Sequence, residues 1–203
     1  MSVNVDYIFD FGSPNGYFAY KALPSILERT GATLNIIPCL LGGIFKQTNN
    51  QAPMIAFSGV QNKLAYQQKE IMRFIAKHQL NNFTFNSNFP VNTLIMMRAA
   101  IAVEQEGRLK EYLEAGLKMM WEDSLKMDDP DVFSEAMTKA GFDGPALLAA
   151  TQDPAIKAKL MENTNTAVER GAFGVPTFFV GDEMFFGKDH LSPLEDEIIA
   201  RSK

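Results

Sequence analysis

"DYIFDFGSPNGYFAY", residues 6–20, decides the fold. The chain entering it alternates: Val3, Val5, Tyr7, Phe9 and Phe11 fall on one side, the two-residue period of a β-strand. Ile8, on the other side, points to burial on both faces. Gly12-Ser13-Pro14 ends that pattern, and Tyr17, Phe18, Ala22, Leu23, Ile26 and Leu27 then recur at helical spacing until Thr30. Gly31 is placed to be the helix C-cap, and Thr33–Pro38 reads as a second strand. Strand, helix and strand within about 36 residues, joined by short loops, make a parallel, right-handed βαβ unit.

Beyond that unit, Leu41 to Ser58 holds Gly42-Gly43, Asn49-Asn50 and Pro53, and is expected to be a loop carrying one short turn of helix. The middle of the chain is helical in pattern. Leu64, Ile71, Phe74, Ile75 and His78 share a face, as do Leu94, Met97 and Ile101, and then Leu109, Leu113, Leu117, Met120 and Trp121. Asp129-Pro130 and Asp153-Pro154 each read as an N-cap followed by Pro at the first helical position. Five or six helices are expected between about residues 55 and 172, with no strand among them. Strands return at Pro176–Val180 and Met184–Phe186 across a Gly181-Asp182 turn, and Ser192-Pro193 is expected to start a closing helix. The order βαβ, helical block, ββα packs helices around a mixed sheet of about four strands, an α/β architecture. We expect one unit over 1–203, with a sheet-bearing part at 1–54 and 173–203 and a helical insertion at 55–172.

Composition narrows the function. The 203 residues are 46% hydrophobic and 21% charged, ordinary for a globular chain. A formal net charge of -5 and the lack of a Lys/Arg stripe disfavour a nucleic-acid partner. No apolar run approaches a membrane span, and the N-terminus has no signal-like pattern, so a cytoplasmic protein without a membrane partner is expected. The single cysteine, Cys39, is read as a small buried residue. His78 and His190, the two histidines, have no companions at ligand spacing, and no metal is expected.

Ser13 has two readings. Ser-Pro is a helix start, and as a cap Ser13 needs no chemistry. Yet it ends the first strand and opens the first helix of a βαβ unit, at the sheet edge where α/β proteins place ligands. Free N–H groups and about half a unit of positive charge at a helix N-terminus stabilise an anion there.

"DYIFDFGSPNGYFAY", "NNQAP…QNKLAYQQKEI" and "AFGVPTFFVGDEMFFGKDHL" together resemble the DsbA-like branch of the thioredoxin superfamily that includes 2-hydroxychromene-2-carboxylate isomerases and kappa-class glutathione transferases. The resemblance implies a thioredoxin-like fold with a large all-helical insertion, and commonly a homodimer. The superfamily's oxidoreductases carry Cys-x-x-Cys where Ser13-Pro14-Asn15-Gly16 stands, so this chain cannot run a dithiol cycle at that position. The resemblance implies instead that glutathione brings the sulfur and that the Ser13 hydroxyl hydrogen-bonds to it. It further implies a cis Val175-Pro176 bond that turns the Val175 backbone toward glutathione, Asp189 and Lys188 near its charged ends, Asn50 at the site mouth and Lys63 on the following helix.

Two positions depart from the pattern. Gly12 replaces a bulkier residue and is expected to widen the pocket beside Ser13, while His190 replaces an Arg. Phe45, Phe89 and Trp121 are read as core aromatics. The resemblance implies a glutathione-dependent cis-trans isomerase that adds the thiolate reversibly to an unsaturated aromatic keto acid. The alternatives are a kappa-like transferase that releases a conjugate, and a cysteine-less binding module without catalysis.

Overall fold

A computed structural model describes residues 2–202; residues 1 and 203, the ends of the expected unit, lie outside the described residues. The opening sequence forms β1 (Asn4–Phe9), α1 (Pro14–Thr30) and β2 (Thr33–Pro38). β1 and β2 are parallel, with Val5 opposite Leu34 and Phe9 opposite Pro38. The chain returns to the sheet at β3 (Thr177–Val180), antiparallel to β1 with Tyr7 opposite Phe178, and β4 (Glu183–Phe186) completes the order β2-β1-β3-β4. β1 is therefore central, and Val5, Tyr7, Ile8 and Phe9 are all buried, the two-faced burial that Ile8 signals.

Capping fixes α1 at both ends. Ser13 has extended backbone angles and its side chain accepts from the Gly16 N–H, while Gly31 adopts φ 66° and returns its N–H to the Leu27 carbonyl at 2.8 Å. Between the sheet halves lie α3 (Pro53–Ala56), α4 (Lys63–His78), α5 (Leu94–Gln105), α6 (Leu109–Trp121), α7 (Pro130–Lys139), α8 (Gly144–Ala150) and α9 (Pro154–Glu169). Asp129 and Asp153 cap α7 and α9 through their carboxylates, as their spacing predicts.

Two expectations are corrected. The segment after β2 is not a loop with a single turn: α2 spans Leu41–Thr48. Gly43 serves packing, since a Cβ there would lie 3.0 Å from the Thr164 methyl of α9, and Ile44 is fully buried. The closing helix α10 (Leu191–Arg201) starts one residue before Ser192 and follows a 3-10 turn at Lys188–His190, so Ser192-Pro193 sit inside its first turn. Pro is tolerated there because first-turn N–H groups have no intrahelical acceptor.

One core runs through both parts. Buried Phe9 and Phe11 share a cluster with Tyr112, Leu113, Leu117 and Trp121 of the helical block. The Trp121 indole donates to the Phe11 carbonyl at 2.9 Å, and Gly116 lets the Phe11 ring approach where a Cβ would sit 2.6 Å away. Among the described residues no helix is long and apolar enough to cross a membrane, and no group of three His, Cys, Asp or Glu could hold a metal ion.

Candidate active site

The carboxyl end of β1 delivers Ser13 to the start of α1, 7% exposed. Its hydroxyl lies 3.1 Å from the Val175 carbonyl and donates to it. Val175 and Pro176, joined by a cis peptide bond, form the approach to β3, and the Val175 N–H has no protein acceptor among the described residues. A serine hydroxyl has one proton but two lone pairs. Here the proton is on Val175 and one lone pair faces the Gly16 N–H at 3.4 Å. A sulfur anion placed at this helix end would draw that proton to itself, because a hydrogen bond to a charged acceptor is roughly twice as strong as one to a neutral carbonyl.

Asn50, just beyond α2, reaches the same loop. Its amide donates to the Phe173 carbonyl at 2.7 Å, and its Oδ1 accepts from the Gln51 N–H at 2.8 Å. The amide nitrogen thus holds the segment that leads into Val175, while Oδ1 braces the turn that carries Asn50 itself. On the other flank, the Gly187 N–H bonds to the Pro176 carbonyl at 2.9 Å, which brings the Lys188–Asp189 turn beside the cis proline. The two charges there differ in access. Lys188 is buried, its ammonium 5.1 Å from the Phe74 ring centre and paired with Asp189, while the Asp189 side chain stays 67% exposed.

Ser13, Val175 and Asn50 therefore form one locality, with Lys188 and Asp189 joined to it through Pro176. Lys63 is not brought into contact with them: it lies exposed at the start of α4, its ammonium 3.8 Å from the Phe57 ring centre. A cleft of about 510 Å³ between α1, α4 and α10 opens on the Lys188–Asp189 side and continues to Arg29 and Glu195, away from Ser13.

Gly12 does not widen the pocket. A Cβ there would point at the Asp10 carboxylate and the Thr93 side chain, 3.3 and 3.5 Å away, so the small residue admits a close approach inside the protein. Trp121 is a core residue, fully buried. Phe45 is not purely so, because with Phe186 it flanks Gly174, and Phe173 packs on Phe186 at 4.4 Å between ring centres. This aromatic shelf beside Val175 has no local signature, since its members come from α2, the loop before β3, and β4.

Cys39 follows β2, is fully buried and points its thiol at the Asn163 carbonyl at 3.4 Å. Burial, assisted by the nearby Asp10 charge, pushes its pKa up to about 12. It is not the nucleophile of this site.

A DSBA-like thioredoxin domain model matches residues 4–199. The chain belongs to the DsbA-like thioredoxin family. Within this family it is similar to 2-hydroxychromene-2-carboxylate isomerase of Sphingobium xenophagum, 26% identical over 199 residues covering 98% of this chain and all of that protein. It is also similar to glutathione S-transferase kappa 1 of Rattus norvegicus, 26% identical over 94% of this chain and 88% of that one. The solved structure of a 2-hydroxychromene-2-carboxylate isomerase superposes with a TM-score of 0.82 at 27% identity, over 96% of this chain and 94% of that one. The DsbA-like fold, with its helices inserted between β2 and β3, is thus the one that the opening and closing motifs imply.

Proposed function

We propose that the chain is a glutathione-dependent cis-trans isomerase of the 2-hydroxychromene-2-carboxylate isomerase type. The observation that carries this reading is the Ser13 hydroxyl, held 3.1 Å from the Val175 carbonyl at the N-terminus of a 17-residue helix, in a chain whose only cysteine lies elsewhere and buried. The polar groups fit a thiol tripeptide: a hydroxyl for the sulfur, the Val175 N–H just before β3, without a protein acceptor among the described residues, for the peptide, and an exposed carboxylate for the ammonium. Glutathione would supply a thiolate that adds reversibly to an enone, so that the former double bond rotates before elimination restores it.

The residues of the chain prepare that anion. A free thiol of pKa about 8.5 is only about 3% ionised at pH 7, and a fall of about two units raises the ionised fraction about 25-fold. That fall corresponds to about 2.7 kcal/mol; a hydroxyl donor to an anion contributes about 1.5–3 kcal/mol and a helix terminus about 0.3–1. Ser13 and α1 therefore suffice without a cation. Val175 orients the cysteinyl backbone, Asp189 receives the γ-glutamyl ammonium, and buried Lys188 holds Asp189 in place.

Removing the hydroxyl tests the proposal. Ser13→Ala is expected to lose about 1 kcal/mol of stability with its cap, and about tenfold to a hundredfold in glutathione-dependent isomerisation of an aromatic enone acid. Unchanged turnover would reduce Ser13 to a cap. The match to a kappa-class transferase supports a second reading, conjugation of an electrophile. Product analysis separates the two: isomerisation returns free glutathione, whereas conjugation consumes one equivalent.

A further inference from the structure

Asp10 is fully buried three residues before Ser13, and no cation pairs with it among the described residues. Its carboxylate is nonetheless almost completely bonded. Oδ1 accepts from the Gly12 N–H at 2.8 Å and from the Thr93 hydroxyl at 2.6 Å, and Oδ2 accepts from the Leu41 N–H at 2.7 Å. Two of these donors are backbone groups that cannot reverse, so the ring of partners is built for an acceptor-only, ionised carboxylate. Burial nonetheless pushes its pKa up, against the three hydrogen bonds that pull it down.

Each partner controls a different wall of the candidate site. Gly12 is in the turn that aims Ser13. Leu41 is the first residue of α2, a helix whose own N-cap residue, Leu40, makes no side-chain cap, so Asp10 takes its place and faces the helix's positive end. α2 in turn leads to Asn50, which holds Phe173 and so the Val175 loop. Thr93 precedes α5 and attaches the helical insertion. From Asp10 the bonds run through Gly12 to Ser13 in one direction and through α2 and Asn50 to Val175 in the other, and they close where Ser13 meets the Val175 carbonyl.

We propose that Asp10, fastened by Thr93, is a positioning residue that sets where the Ser13 hydroxyl stands against Val175, and so how it meets the cofactor's sulfur. The functional part of this proposal rests on the glutathione reading above; the geometric part does not. A hydroxyl about 1 Å out of place costs up to about a hundredfold in rate while leaving most binding contacts intact. The effect belongs in kcat rather than in affinity for glutathione.

The test is a Thr93 series, since Asp10→Asn sets an amide NH2 against a backbone donor and risks misfolding. Thr93→Val keeps the shape and removes the hydroxyl; Thr93→Ser restores it. Crystal structures of both variants and of the wild type give the Ser13 Oγ–Val175 O distance, and steady-state kinetics with calorimetry give kcat and the glutathione Kd. We expect Thr93→Val to lengthen the 3.1 Å contact and lower kcat about tenfold to a hundredfold at nearly constant Kd, and Thr93→Ser to recover both. An unaltered contact in Thr93→Val overturns the proposal, as does a fall in kcat that Thr93→Ser fails to recover. Should the wild type bind no glutathione, the functional reading falls, while the distance in the variant structures still decides the clamp.

Discussion

Lys188 and Asp189 adjoin in sequence and divide their work by depth. The ammonium is buried 5.1 Å from the Phe74 ring centre, and from there it pairs with the exposed carboxylate. On the glutathione reading, Asp189→Asn is therefore expected to weaken glutathione binding about tenfold through loss of a charge-assisted hydrogen bond, with kcat little changed because the proposed sulfur position is at Ser13. Calorimetric titration alongside saturation kinetics checks this, and an equal loss in kcat would assign Asp189 to the chemistry instead. Cys39 makes the opposite kind of statement. With its thiol fully buried and its pKa near 12, it is expected to resist a thiol reagent in the native protein and to react once in denaturant. Labelling in native buffer at the unfolded rate would contradict that placement.

At the scale of elements, Asp6 of β1 joins three parts of the fold. It accepts from Asn35 of β2 at 2.8 Å and pairs with Arg170, just past α9, at 2.8 Å, while the guanidinium lies over the Phe179 ring of β3. Partial burial alone would raise its pKa, but the bonds from Asn35 and Arg170 outweigh it and the net shift is downward. A depressed carboxylate stabilises the fold above its unfolded pKa of about 3.9 and loses that contribution as pH falls through the folded value. Thermal melts in an acid series should thus fall more steeply for the wild type than for Asp6→Asn, and parallel slopes would sink the assignment. These elements were legible to different depths. β1, α1 and β2 announce themselves because period two gives way to period 3.6 at Ser-Pro. α2 does not, because its cap is Asp10, thirty-one residues upstream, and its Gly43 answers to Thr164 of α9. The candidate site divides in the same way: Ser13 and Val175 lie in motifs, whereas Asp10, Thr93 and the Phe45–Phe186 shelf come together only through long-range packing.

The molecule as a whole is expected to unfold as one thermodynamic unit, because its insertion shares a buried cluster with the sheet. Phe9 from the sheet, Phe11 from the turn after β1, Tyr112 and Trp121 from α6, and Phe133 from α7 lie in a single buried cluster, and the Trp121 indole is bonded to the backbone just past β1. Separating the parts would expose these rings together and leave the Phe11 carbonyl without its donor, at about 1–3 kcal/mol for that group alone. The chain's single tryptophan sits at this junction and reports on it. In a denaturant titration, Trp121 fluorescence and protection of the β1 amides should be lost at one midpoint, the mark of a two-state transition. Fluorescence changing first would mean that the helical block detaches before the sheet unfolds. Because Thr93 ties that block to Asp10 beneath Ser13, such a detachment would also dismantle the candidate site while the sheet remained folded.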